Sequence, residues 1–222
     1  TAIGVGAMSS GTATNCNVAI GFGALHVNGG GDDNVAVGVR ALRQNTTGCQ
    51  NVAVGFCAMY TNTSGKWNTA IGFHSMKNNT IGSCNVAAGY KSLYLNTTGT
   101  HNTALGTSAL YKNTTATCNT AIGNLALYNN TTGVSNTAIG LSALRFNTIG
   151  ENNTAIGTCA MYANTTGKYN VAIGTCSLCN NTIGGCNVVL GHHALRANTT
   201  AVRNVAVGYR SLCDNTIGAH NV

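Results

Sequence analysis

Proline is absent from these 222 residues, Trp occurs once, and all aromatic residues together make up 6% of the chain. The 44% apolar share is mostly Ala, Val and Ile. With so few large rings, a thick conventional core is excluded, and small side chains in quantity point to thin, tightly stacked layers. No run of 18 apolar residues occurs, so no helix is expected to span a membrane and no membrane insertion is predicted. No secretory leader pattern is present and the sequence opens on Thr1, which reads as a processed or excerpted chain. Acids are scarce too: Asp32, Asp33, Glu151 and Asp214 face eleven Lys and Arg, for a formal charge of +7. That balance is compatible with an anionic partner such as an acidic polysaccharide. The cations do not cluster along the sequence, however, so they read as solubilising charges, and no nucleic-acid partner is expected.

What is abundant is repetition. Asn17, Asn34, Asn51, Asn68, Asn85, Asn102, Asn119, Asn136, Asn153, Asn170, Asn187, Asn204 and Asn221 stand 17 residues apart. Counting places 1 to 17 from that Asn, the chain is thirteen repeats of Asn-[Thr/Val]-Ala-[Ile/Val]-Gly-x-x-[Ala/Ser]-[Leu/Met]-x-x-Asn-Thr-[Thr/Ile]-Gly-x-x, with residues 1–222 forming one uninterrupted array. Place 3 is Ala in every repeat but one, which has Val189, and place 5 is always Gly. The two Gly positions leave two runs of about five residues, strand length and too short for a helix, so each repeat is expected to be one strand–turn–strand–turn coil. Place 2 and place 4 alternate β-branched residues with small ones, which is strand periodicity. Gly at places 5 and 15 is expected to supply freedom for tight corners. The fold class is therefore an all-β parallel β-solenoid (β-roll) of thirteen 17-residue coils, stable only through stacking. Places 2, 4 and 9 are expected to fill the core, as with Val52, Val54 and Met59, or Thr120, Ile122 and Leu127. The charged places 7, 10, 11, 16 and 17 are expected to face water.

Nothing in this pattern assembles a catalytic centre. Asp32 and Asp33 adjoin Gly29-Gly30-Gly31 in a turn, while Glu151 and Asp214 lie coils away, and a polysaccharide-cleaving solenoid needs carboxylates gathered on one face. No enzyme activity, catalytic residue or cofactor is predicted. Ten Cys fall at scattered places. Cys159 and Cys176 share place 7 in adjacent coils and are the disulfide candidate, because stacking brings them to about 4.8 Å. Cys176 and Cys179 form a CxxC followed by Cys186, His192 and His193. That is a weak zinc signal, since other repeats carry Arg, Lys or Ser at those two Cys places, so no metal site is predicted.

The strongest polar signal is Asn. At place 12, Asn45, Asn62, Asn79, Asn96, Asn113, Asn130, Asn147, Asn164, Asn181, Asn198 and Asn215 are predicted to form a hydrogen-bonded ladder satisfying corner backbone groups. The competing reading is N-glycosylation at Asn45, Asn62, Asn96, Asn113, Asn130, Asn164 and Asn198 in Asn-x-Thr/Ser acceptors, with Asn78, Asn129 and Asn180 as further acceptors at place 11. Asn persists at place 12 where the acceptor is broken, as at Asn79 and Asn147, which favours the ladder, with glycans kept for some coils. A Thr column at place 13 suggests a minor ice-binding alternative. Tyr94, Tyr111 and Tyr128 share place 10 in consecutive coils, an aromatic strip that stiffens the stack or holds sugar rings.

The run Asn17-Val18-Ala19-Ile20-Gly21 and its copies resemble the YadA-like head repeats of trimeric autotransporter adhesins. With the Ala-Leu and Asn-Thr-Thr-Gly segments that follow, they resemble more closely the NTAIGxxALxxNTTG arrays of phage-type tail fibre proteins. The resemblance covers all thirteen repeats. It implies a left-handed roll, lateral self-association of identical chains, usually three, and an extracellular, cell-surface or virion-surface appendage. The function expected is a non-catalytic structural shaft of a fibre, with an adhesin binding surface glycans as the alternative. Neither terminus carries charge, Pro or a covering segment, so end-to-end association is also expected.

Overall fold

The computed structural model describes residues 1–11 and 15–222. These form an all-β parallel β-solenoid without a helix, divided into two compact units, Thr1–Thr115 and Ala116–Val222. In the first unit the strands are β1 (Ala2–Ile3), β2 (Ser10–Gly11), β3 (Val18–Ile20), β4 (Val27–Asn28), β5 (Val35–Val37), β6 (Val52–Val54), β7 (Thr69–Ile71), β8 (Val86–Ala88) and β9 (Thr103–Leu105). β1, β3 and β5 to β9 pair side by side in parallel, each residue opposite the one 17 further on, as in Val52↔Thr69 and Ala53↔Ala70. β2 and β4 make a separate short pair. The second unit repeats the arrangement with β10 (Thr120–Ile122), β11 (Thr137–Ile139), β12 (Thr154–Ile156), β13 (Val171–Ile173), β14 (Val188–Leu190) and β15 (Val205–Val207).

In place of the expected two strands, each coil from β5 to β15 has one three-residue strand followed by a chain of turns; among the described residues only the first two coils add a second short strand, β2 and β4. The expected phase of that strand is reversed. Place 3 points inward, with Ala70, Ala121 and Ala172 fully buried, whereas places 2 and 4 point out: Ile71 is 46% exposed beside Ala70 at 0%. The core is thin, built from Asn at place 1, Ala at 3, Ala or Ser at 8, Leu or Met at 9 and Asn at 12. A strand has two faces, and a one-residue change of phase exchanges them entirely. Here the phase is set by Asn at place 1 and Ala at place 3. Place 3 takes the small Ala methyl in all coils but one, where Val189 is buried, and the β-branched residues at 2 and 4 take the outer face. Place 9 is inward as expected, and Leu25, Leu42, Met59, Leu127 and Met161 are fully buried.

Corner chemistry explains the invariant places. Gly at place 5 has φ between +117° and +143°, a region closed to side chains, and a Cβ on Gly72 would lie 2.7 Å from the Gly89 carbonyl oxygen. The place-15 Gly does not take a positive φ; it is favoured by close approach instead, and only Ala116 and Ala201 replace it among the described residues. A Cβ on Gly82 would meet the Asn79 side-chain oxygen at 2.5 Å. Left-handed backbone is also taken by side-chain-bearing residues at places 7, 9 and 17, for example Ser142 (φ 56°), Leu127 (φ 50°) and Ser135 (φ 56°).

Candidate functional site

The outward phase of the strands leaves a continuous apolar face on the sheet of each unit. In the first unit it presents Val or Thr at place 2 and Ile3, Ile20, Val37, Val54, Ile71, Ala88 and Leu105 at place 4. In the second, Val188 and Leu190 on β14 are 45% and 48% exposed. Place 6 borders this face with exposed Phe22, Phe56, Phe73 and Tyr90. Apolar residues scattered singly need no explanation; here they recur at the same places in successive coils.

Inside each coil, two Asn ladders meet at one atom. At place 12, Asn62 Nδ2 donates to Asn45 Oδ1 (2.9 Å), Asn79 to Asn62 (2.8 Å) and Asn96 to Asn79 (2.8 Å); Asn113 continues to Asn96 (2.8 Å). The second unit runs Asn147 to Asn130, Asn164 to Asn147 and Asn181 to Asn164, each at 2.8 Å. The amides of Asn45, Asn62, Asn79, Asn96, Asn130, Asn147, Asn164 and Asn181 also reach the place-15 carbonyl of their own coil, as Asn62 Nδ2 does to Gly65 (3.1 Å). That carbonyl accepts a second bond from the place-1 Asn, Asn51 Nδ2 to Gly65 at 2.8 Å. The sequence reading did not identify this shared carbonyl; the constant spacing of the two Asn columns from the place-15 Gly was the signal.

The series reaches Asn198, which donates to Asn181 (2.7 Å), and no further. There place 15 is Ala201, the Asn198 bond to its carbonyl lengthens to 3.3 Å, and Asn198 Oδ1 is buried without a partner; Asn215 bonds Gly218 instead. The predicted ladder member Asn215 is thus outside it.

The same geometry bears on glycosylation. Asn45, Asn62, Asn96, Asn113, Asn130, Asn164 and Asn198 are fully buried, so the amide nitrogen that would carry a sugar is enclosed within the coil. Asn78, Asn129 and Asn180, at place 11, are partly or fully exposed and remain open to such a modification.

The Thr column at place 13 turns its hydroxyls onto the next coil: Thr63 Oγ1 donates to the Thr80 carbonyl (3.0 Å) and Thr165 to Thr182 (3.0 Å). It braces a corner and offers no open array of hydroxyls. Tyr94 and Tyr111 stack with ring centroids 5.1 Å apart and planes 6° from parallel, while Tyr128 lies in the second unit. All ten Cys are free thiols. Cys159 and Cys176 follow paired strands β12 and β13 at the same place, and Cys179 is close to both. Burial first, then the neighbouring Cys176 and Cys159, push the Cys179 thiol up to about 11. Among the described residues no group of three or more His, Cys, Asp or Glu is placed to hold a metal ion.

A feature absent from the sequence reading is the pairing of cations with rings in the first unit. Lys91 Nζ lies 5.1 Å from the centre of the Tyr90 ring and 5.7 Å from that of Tyr94, and Lys77 Nζ lies 5.8 Å from the Tyr94 ring. Arg43 donates to the Tyr60 hydroxyl at 2.7 Å. Hydrogen bonding to Tyr90 holds the Lys91 ammonium above its ordinary pKa. Partial burial, then Lys77 and Lys91, hold His74 below its own. The pairs Arg43–Tyr60 and Lys77–Tyr94 were legible by reading down place 10 of the repeat; Lys91, at place 7, was not. Comparison of the chain with protein-family models, curated proteins and solved structures finds no match.

Proposed function

We propose that this chain is a non-catalytic structural shaft of an extracellular or virion-surface fibre, in which identical chains lie side by side. The observation that carries the reading is the uncovered face of places 2 and 4. A thin coil whose buried layer is mostly Ala and Asn gains little from its own core, since burying a Leu side chain contributes about 1.5–3 kcal/mol and each coil holds only one Leu or Met at place 9. Covering the β-branched face with the same face of another copy adds the missing apolar burial. It also protects a flat sheet surface that would otherwise associate without specificity. The resemblance to fibre repeats supports the same architecture. Electron microscopy of the native assembly tests it: a uniform filament is expected, whereas discrete knobs on a thinner stalk would favour a receptor-binding head.

A further inference from the structure

The cations that are scattered along the sequence are gathered by the coil. Eight of the eleven Lys and Arg fall at places 7, 10 and 11, where the only acid is Asp214; Lys66, Lys168 and Arg203 share places 16 and 17 with the other three acids. In the first unit this makes a ridge with no counter-charge. Its place-10 column reads Arg43, Tyr60, Lys77, Tyr94, Tyr111 over consecutive coils, with Arg40 and Lys91 beside it at place 7. The only acids of that unit, Asp32 and Asp33, lie at places 16 and 17, and the single ion pair among the described residues, Lys168 with Glu151, is in the other unit.

We propose that this ridge binds a linear anionic polysaccharide, carboxylated or sulfated, laid across successive coils. From Arg43 to Tyr94 cation and ring alternate down place 10, so Arg43 and Lys77 are two coils apart, about 9.6 Å at the spacing of paired strands. That interval matches one acidic group per disaccharide. The cations are held in position by rings, Arg43 against Tyr60 (5.7 Å) and Lys77 and Lys91 over Tyr94, so little freedom is lost when an anion docks. The rings favour sugar over nucleobases. Phe56 stacks on Phe73 (5.2 Å, 11°), Phe73 on Tyr90 (5.6 Å, 14°) and Tyr94 on Tyr111 (5.1 Å, 6°), so their faces are occupied by one another. A base needs an open ring face on which to stack. Stacked rings offer edges, and the tyrosines offer phenol hydroxyls suited to sugar hydroxyls. The ridge uses places 7 and 10 and not the apolar face of places 2 and 4, so this inference and the proposed lateral association fail separately.

The test uses the full chain and fluorescently labelled heparin, with binding followed by anisotropy over a salt series. Replacing Arg43, Lys77 and Lys91 together by Gln is expected to weaken binding about ten- to a hundred-fold. The slope of log affinity against log salt should flatten by about one for each cation lost. Replacing Lys66, Lys168 and Arg203 together by Gln removes the same charge from the other corner and is expected to leave affinity within about two-fold. Sedimentation and thermal melting of both triple variants should match the parent. Equal weakening by the two triples would reduce the effect to net charge and overturn the proposal. Competition by single-stranded DNA or anionic lipid vesicles as strong as by unlabelled heparin would overturn it too, as would no heparin binding by the parent chain.

Discussion

Leu127 sits at φ 50° with its side chain fully buried, and the same is true of the place-9 residue in nearly every coil. Left-handed backbone is costly for any L-residue and most costly for β-branched ones, whose second γ substituent crowds the backbone. The chain is rich in Thr, Val and Ile, yet none occurs at places 7, 9 or 17, the three places where side chains accompany a positive φ. At place 9 only Leu and Met occur. The restriction is one of branching, not volume. Leu127→Ile is therefore expected to destabilise the coil by about 1–2 kcal/mol beyond the usual cost of an isosteric swap. Leu127→Met should cost less than about 1.5 kcal/mol. Thermal denaturation of the two variants decides between them; equal melting temperatures would mean that packing volume, and not backbone handedness, governs the place.

At the level of the strand, the two faces have exchanged roles relative to hydropathy. Ala172 on β13 is fully buried, and Ile173 beside it is 36% exposed. A carboxylate at 172 would enter a layer of Ala, Leu and Asn with no cation; at 173 it would stand in solvent. Ala172→Asp is expected to cost more than about 4 kcal/mol, and Ile173→Asp less than about 1 kcal/mol under dissociating conditions. Circular dichroism melts at low protein concentration measure both, and similar losses would return places 2 and 4 to the core. The strand itself, its parallel register and the inward place 9 were legible in the 17-residue period. The phase was not, because apolar residues occupy 2 and 4 while Ala at 3 carries almost no hydropathy signal. Thr69 and Thr103 standing where Val52 and Val86 stand was the usable clue, since a place that accepts Thr for Val tolerates water. Likewise Asn79 and Asn147, where the acceptor motif is broken, correctly favoured the ladder. Its end at Asn198 was not legible, because Asn215 stands in the same repeat motif as the members before it.

Across the whole molecule, periodicity converts weak local preferences into surfaces. One exposed Ile in a coil means little; the same place apolar in successive coils makes an apolar stripe, and cations recurring at places 7 and 10 make a basic ridge. Composition alone hides both, because net charge and apolar share do not record the place each residue occupies. The account stands most directly on the outer sheet face as a contact between copies. Sedimentation velocity of the parent chain over a concentration series, beside an Ile139→Asp/Ile156→Asp variant of β11 and β12, measures this. The parent is expected to sediment as a defined oligomer, and the variant as a folded monomer with an unchanged melting profile at low concentration. A parent that stays monomeric at high concentration, or a variant that unfolds before it dissociates, would contradict the account.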